Sequence, residues 1–141
     1  MRFLLQGLIL FVFVSLIELK ITNTRIPFFD VLLNNSYFNL IFTVFCLMIL
    51  INGSNFIDGL NTLLINYNII LYLILILFFN QNFYDIGFLK YLVLTLLVLL
   101  FFNFNGKIIL GDSGSYLISL FSGFLLIRFS NDNLAISPYF I

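Results

Sequence analysis

The 141 residues are 62% hydrophobic and only 9% charged, with a mean hydropathy of +1.17, which excludes a water-soluble globule because the polar surface needed to cover one is missing. Six basic and six acidic residues cancel and lie singly, so no basic patch exists to hold a nucleic acid. Histidine is absent and the one cysteine, Cys46, lies in an apolar run, which excludes an internal disulfide and a cysteine metal cage and leaves acid–base work to carboxylates.

In chain order, Phe3–Ile17 is an apolar run broken only by Gln6, Gly7 and Ser15. It lacks the small-residue cleavage site of a signal peptide and reads as a first spanning helix, shorter than the ~20 residues a full span prefers. Residues 18–36 form a polar extramembrane loop containing Pro27. Residues 37–51 are the second apolar run, ending in N-G-S-N-F-I-D-G-L-N over 52–61. Residues 63–79 are the third, 80–85 a turn, and 86–102 the fourth, with Lys90 placed to snorkel to the interface. The polar stretch N-F-N-G-K-I-I-L-G-D-S-G-S-Y follows over 103–116. A fifth helix over 116–127 is expected to start at Ser113, 128–133 to turn, and 135–141 to open a sixth. The expected fold is all-α: a polytopic transmembrane helix bundle of about five full spans plus the start of a sixth, in one membrane domain over 1–141.

The two polar stretches carry the chemistry. Gly111-Asp112-Ser113-Gly114-Ser115 falls where a helix should begin, and a helix start offers unpaired N–H groups and the positive end of the helix dipole. With glycines that let an anion approach the backbone, this suits a phosphate. Asp112 suits the accompanying metal, since magnesium takes hard oxygen ligands and is usually held by one or two carboxylates plus substrate phosphates. Metal–diphosphate chemistry at a membrane surface is the resulting expectation. A calcium loop fits less well, lacking regular acidic positions and a terminal glutamate, and a P-loop is ruled against by the missing Lys-Ser/Thr.

Asn52, Asn55, Asp58 and Asn61 recur every third position. On an unbroken helix the first three share a stripe about 120° wide, while Asn61 drifts away and Gly53 or Gly59 could end the helix. For a lone membrane asparagine an interhelical hydrogen-bond seam is the favoured reading. It explains Asp58 less well, because a carboxylate near the bilayer is costly unless water, a cation or a partner compensates. Lys107 reads either as an interfacial lysine or as a phosphate contact. If every run crosses once, 52–61 and 103–115 share one side and can form one site. The basic residues are weighted to the other side, Lys20, Arg25, Lys90 and Arg128 against Arg2 and Lys107, opposite to a cytoplasmic placement of that site.

Together, N-G-S-N-F-I-D-G-L-N (52–61) and G-K-I-I-L-G-D-S-G-S (106–115) resemble the motif pair of the polyprenyl-phosphate N-acetylhexosamine-1-phosphate transferases, glycosyl transferase family 4, from Arg2 to the C-terminus. The resemblance implies transfer of a sugar-1-phosphate from a UDP-N-acetylhexosamine to undecaprenyl phosphate, with magnesium and release of UMP. This is the first membrane step of cell-wall or surface-polysaccharide synthesis, lipopolysaccharide O-antigen included, at the cytoplasmic face of the bacterial inner membrane. The implied partners are those two substrates and the lipid bilayer, with a homodimer compatible.

Carried over by residue, the resemblance makes Asp112 a catalytic magnesium ligand and Asp58 a catalytic or phosphate-site carboxylate. Asn52 and Asn55 line the site, and Gly59, Leu60, Asn61 and Asn103 approach the nucleoside. Three features depart from the family pattern: Asn61-Thr62 stands where many members have Asp-Gly, Ile109 where many have phenylalanine, and the Asn103-to-Asp112 spacing is one residue short. The family's aspartate pair and histidine loop are not matched, so the chain is expected to be the central part of a larger transferase, inactive alone. Two rivals from other classes are a transporter or channel segment, which calls for inverted repeats, and a membrane subunit whose polar clusters only lock helices.

Overall fold

The computed structural model describes residues 2–58, 62–78 and 85–132, with the backbone alone for Arg2, Asp58, Phe78 and Asp85. Six helices account for most of them: α1 (Arg2–Ile17), α2 (Pro27–Leu33), α3 (Ser36–Asp58), α4 (Leu63–Phe78), α5 (Asp85–Phe104) and α6 (Gly111–Asp132). No strand occurs among the described residues.

Three helices are long and apolar enough to cross a membrane, over Ser36–Ile57, Ile86–Phe104 and Gly111–Asp132. At 1.5 Å per residue the 22 residues of α6 reach about 33 Å, while the 16 of α1 or α4 reach about 24 Å, short of a ~30 Å hydrocarbon core. Among the described residues the lengths therefore qualify three helices as candidate spans, and five full spans are not confirmed. Large apolar side chains lie exposed along the helices, among them Leu16, Leu77, Leu94 and Phe101, as expected of surfaces that meet lipid.

Other boundaries also differ from the sequence expectation. Residues 128–132 are the last turn of α6 and not a turn between helices, because an amide and charged side chains are tolerated in a helix that has reached the interface. Helix α6 starts at Gly111, ahead of Ser113. Helix α3 runs through Gly53 to Asp58, so the 52–58 stretch is helix and not a junction; one glycine costs a helix only about 1 kcal/mol. The loop over 18–36 contains α2, with Pro27 in its first turn, where the missing N–H is no loss. Thr24 donates to Asp30 Oδ1 from both its N–H (2.7 Å) and its hydroxyl (2.8 Å), which fixes the entry to α2. Asn35 caps α3, its Oδ1 accepting the N–H groups of Tyr37 (3.0 Å) and Phe38 (3.3 Å). The expected sixth helix and residues 80–84 of the expected turn lie outside the described residues.

The chain divides into two compact units, one of residues 1–52 and 120–141, the other of 53–119. In the first, Leu10, Val14, Leu47 and Leu125 are buried, and Gly123 permits close packing: a Cβ there would lie 2.5 Å from Leu47 Cδ2 and 2.9 Å from Leu50 Cδ2. In the second, α4 packs along α5 and buries Leu64, Ile65, Tyr72, Leu89 and Leu96.

Candidate functional site

The unit of residues 53–119 draws four helix ends together. Helix α5 ends in a Schellman motif built on Gly106, whose φ of +65° suits a residue without a Cβ. The Gly106 N–H donates to the Asn103 carbonyl (3.0 Å) and the Lys107 N–H to that of Phe102 (3.0 Å), so the last carbonyls of α5 are satisfied. Asn103 does more than end the helix. Its side chain is buried, its Nδ2 donates to the Ile108 carbonyl (2.9 Å), and its Oδ1 accepts the Thr62 N–H (3.0 Å). Thr62 leads into α4, its carbonyl accepting the Asn66 N–H (2.9 Å). One amide thus fixes the loop after α5 and the entry to α4, although 41 residues separate Thr62 from Asn103.

A second bond joins the two polar stretches themselves. Ser115, fully buried in the first turns of α6, has its Oγ 2.9 Å from Asn55 Oδ1 and 2.9 Å from the Asp112 carbonyl, and its proton serves either acceptor. The end of α3 and the start of α6 therefore meet across 60 residues of sequence.

The model of glycosyl transferase family 4 matches residues 1–130, nearly the whole chain. The chain belongs to glycosyl transferase family 4. No curated protein and no solved structure matches it. At the level of the family, membership supports transfer of a sugar phosphate to a polyprenyl phosphate by a membrane transferase.

Within this glycosyl transferase the expected site residues divide by environment. Asp112 and Ser113 are exposed in the first turn of α6, just after Gly111, whose φ is +65°. The acidic side chain there is favourable to the helix dipole. Gly114 is half-buried, and a Cβ would lie 2.8 Å from Leu110 Cγ and Cδ1, so close approach of the loop explains this glycine. Lys107 is exposed on the loop that Asn103 holds. Asn52 is turned back on its own helix, its Nδ2 donating to the Met48 carbonyl (2.8 Å). Asp58 ends α3, but its side chain is not described, and Gly59, Leu60 and Asn61 lie outside the described residues. Ser54, next to the expected residues, is buried.

Among the described residues no group of three or more acidic, histidine or cysteine side chains could hold a metal. Magnesium does not need such a group, since one or two carboxylates with substrate phosphates and water suffice. An exposed Asp112 carboxylate at a helix start fits that requirement. Sequence reasoning missed Thr62 and the clamp that Asn103 makes on it, because the targets of that amide are backbone atoms, which leave no mark on composition or spacing.

Proposed function

We propose that this chain forms the nucleotide-sugar and metal site of an enzyme that transfers a sugar-1-phosphate from a UDP-N-acetylhexosamine to undecaprenyl phosphate, the first membrane step of a bacterial cell-wall or surface-polysaccharide pathway. In net terms an oxygen of the lipid phosphate forms a bond to the sugar-bearing phosphorus. The bridging oxygen leaves with its electron pair as UMP. The observation that carries the reading is the contact of Ser115 with Asn55, which joins the two motifs in a chain of this family.

In this reading Asp112 holds magnesium, which when bound neutralises the diphosphate and stabilises charge on the leaving UMP. The backbone N–H groups of the Ser113-Gly114-Ser115 turn donate to the same phosphates at the start of α6. Asp58 supplies the second carboxylate of the site. Asn55 is positioned by Ser115, and Lys107 offers a cation at the rim. Asn103 acts by fixing the two segments that flank the nucleoside, with Gly59, Leu60 and Asn61 on one of them. Ile109 and Phe104, both about four-fifths exposed, supply apolar surface beside the polar site for the polyprenyl chain.

With α1 and α4 also read as crossings, by tilt or local thinning of the bilayer, the chain has five spans and both motifs face the cytoplasm. Cysteines at Gly53 and Lys107, both exposed, in a background with Cys46 replaced, should then label from the cytoplasmic side only.

The test of the function itself is binding, which does not require every catalytic group. Calorimetry on the purified chain in detergent should show UDP-N-acetylglucosamine or a related UDP-N-acetylhexosamine bound only when magnesium is present, with UMP competing. Absence of binding for the whole set of UDP-N-acetylhexosamines, by folded protein at millimolar magnesium, would refute the reading.

A further inference from the structure

The other unit holds an open pocket that the proposed transfer does not use. It has a volume of about 420 Å³, within the range of small-ligand sites, and is lined by Glu18, Lys20, Arg128 and Asp132 over an apolar part made by Ile17 and Phe124. A smaller cavity of about 200 Å³ adjoins Glu18 and Lys20 toward Ser36 and Leu40.

The segment over 20–22, beside these cavities, is fixed by two asparagines. Asn39 pairs with Ile21 on one side: its Oδ1 accepts the Ile21 N–H (3.2 Å) and its Nδ2 donates to the Ile21 carbonyl (2.9 Å). On the other side, Asn131 Oδ1 accepts the N–H (3.1 Å) and hydroxyl (2.8 Å) of Thr22, while its Nδ2 donates to the Lys20 carbonyl (2.7 Å). A short non-helical segment is thereby held as firmly as a strand between neighbours. Glu18 adds a φ of +54°, in the left-handed region, to the turn that leads into it.

Depth and charge identify the occupant. The cavity sits where α1 ends and α6 ends, which for apolar helices is the level at which hydrocarbon gives way to headgroups. Leu16, Ile17 and Tyr37 near the ends of α1 and α3 are exposed and available to acyl chains. The four charges are two cationic and two anionic. Such a balance does not select an anion. It matches a ligand that carries both signs.

We propose that this cavity binds the headgroup of a zwitterionic phospholipid bearing a primary ammonium, phosphatidylethanolamine in chemical terms. Lys20 and Arg128 take the phosphate, Glu18 and Asp132 take the ammonium, and Ile17 and Phe124 meet the glycerol and first methylenes. The site is separate from Asp112 in sequence and in unit, and it stands whether or not the proposed transfer does.

The purified chain would be reconstituted in phosphatidylcholine nanodiscs containing a fixed fraction of phosphatidylethanolamine, phosphatidylglycerol or neither. Phosphatidylethanolamine should raise the unfolding temperature by roughly 5 °C and saturate with its fraction. Phosphatidylglycerol, which lacks the ammonium, should raise it by less than half of that. Asp132→Asn with Glu18→Gln should remove the preference for phosphatidylethanolamine over phosphatidylglycerol, and Lys20→Gln with Arg128→Gln should remove the response to both. Unfolding in pure phosphatidylcholine checks that each variant folds, and native mass spectrometry of retained lipid gives a second reading for any that is weakened. Equal response to phosphatidylglycerol, an unchanged preference in the carboxylate variant, or the full effect from soluble phosphoethanolamine would each overturn the assignment.

Discussion

Asn103 in one unit and Asn131 in the other spend their side chains in the same way. Each Oδ1 accepts a backbone N–H, of Thr62 or Thr22, and each Nδ2 donates to a backbone carbonyl, of Ile108 or Lys20. What differs is the helix end beside the clamp. Next to Asn103 the held loop leads through two glycines at positive φ into the start of α6, where N–H groups point outward and Asp112 is exposed. Next to Asn131 the held segment meets the end of α6, where carbonyls take their place and charges of both signs gather. An asparagine clamp therefore sets the shape of a segment, and the polarity of the adjoining helix end distinguishes the ligands proposed for the two places: phosphate and metal at the first, a headgroup of both signs at the second.

Removing the charge beside the first clamp should have the largest effect. Asp112→Asn preserves size and much of the hydrogen bonding but not the charge a hard cation needs. Magnesium-dependent affinity for the UDP-sugar should fall by about two orders of magnitude, comparable to the ~2.7–4 kcal/mol lost when one placed electrostatic stabiliser is removed from other enzymes. Excess magnesium should restore part of it, and the unfolding temperature should barely change. A loss of folded protein with an unchanged magnesium midpoint would make Asp112 a structural residue.

The clamps themselves sharpen the comparison. Asn103→Ala strands the Thr62 N–H and the Ile108 carbonyl at a buried position and should cost about 1–3 kcal/mol in denaturant unfolding. It should weaken UDP-sugar binding as well. Asn131→Ala, at a half-buried position where water can replace the amide, should cost about 0.5–1.5 kcal/mol and leave UDP-sugar binding alone. Equal effects of the two on nucleotide affinity would erase the distinction between the regions.

The smallest effect is expected at Thr62, whose φ of +67° is a conformation that side chains with a Cβ rarely adopt. Thr62→Gly keeps the N–H that Asn103 accepts and relieves the strain, so stability should rise by a few tenths to about 1 kcal/mol. A marked loss would show that the threonine side chain holds the turn.

Much of this was legible in the sequence, for reasons that differ by residue. The apolar runs gave the helices because nothing but burial or lipid accommodates them, and the pairing of 52–61 with 103–115 followed from counting crossings. The contact of Asn55 with Ser115 agrees with that pairing. The continuation of α3 through Gly53 was not legible, since a glycine marks a break only where the backbone needs one, and Gly53 has φ in the helical range with open space around it. Helix α2 was hidden because seven residues in a polar loop are too few to show a period. The asparagine clamps were invisible for the same reason as Thr62: their partners are main-chain atoms far away in sequence.

The central claim is that the two motifs act as one site, and a double-mutant cycle on Asn55 and Ser115 tests it most directly. Magnesium-dependent UDP-N-acetylhexosamine affinity would be measured for Asn55→Ala, Ser115→Ala and the double variant, each checked for folding. If Ser115 works by orienting Asn55, the double variant should lose little more than the worse single one, with a coupling of about 0.5–1.5 kcal/mol. Losses that simply add, or an Asn55→Ala variant that binds as the parent does, would contradict the account.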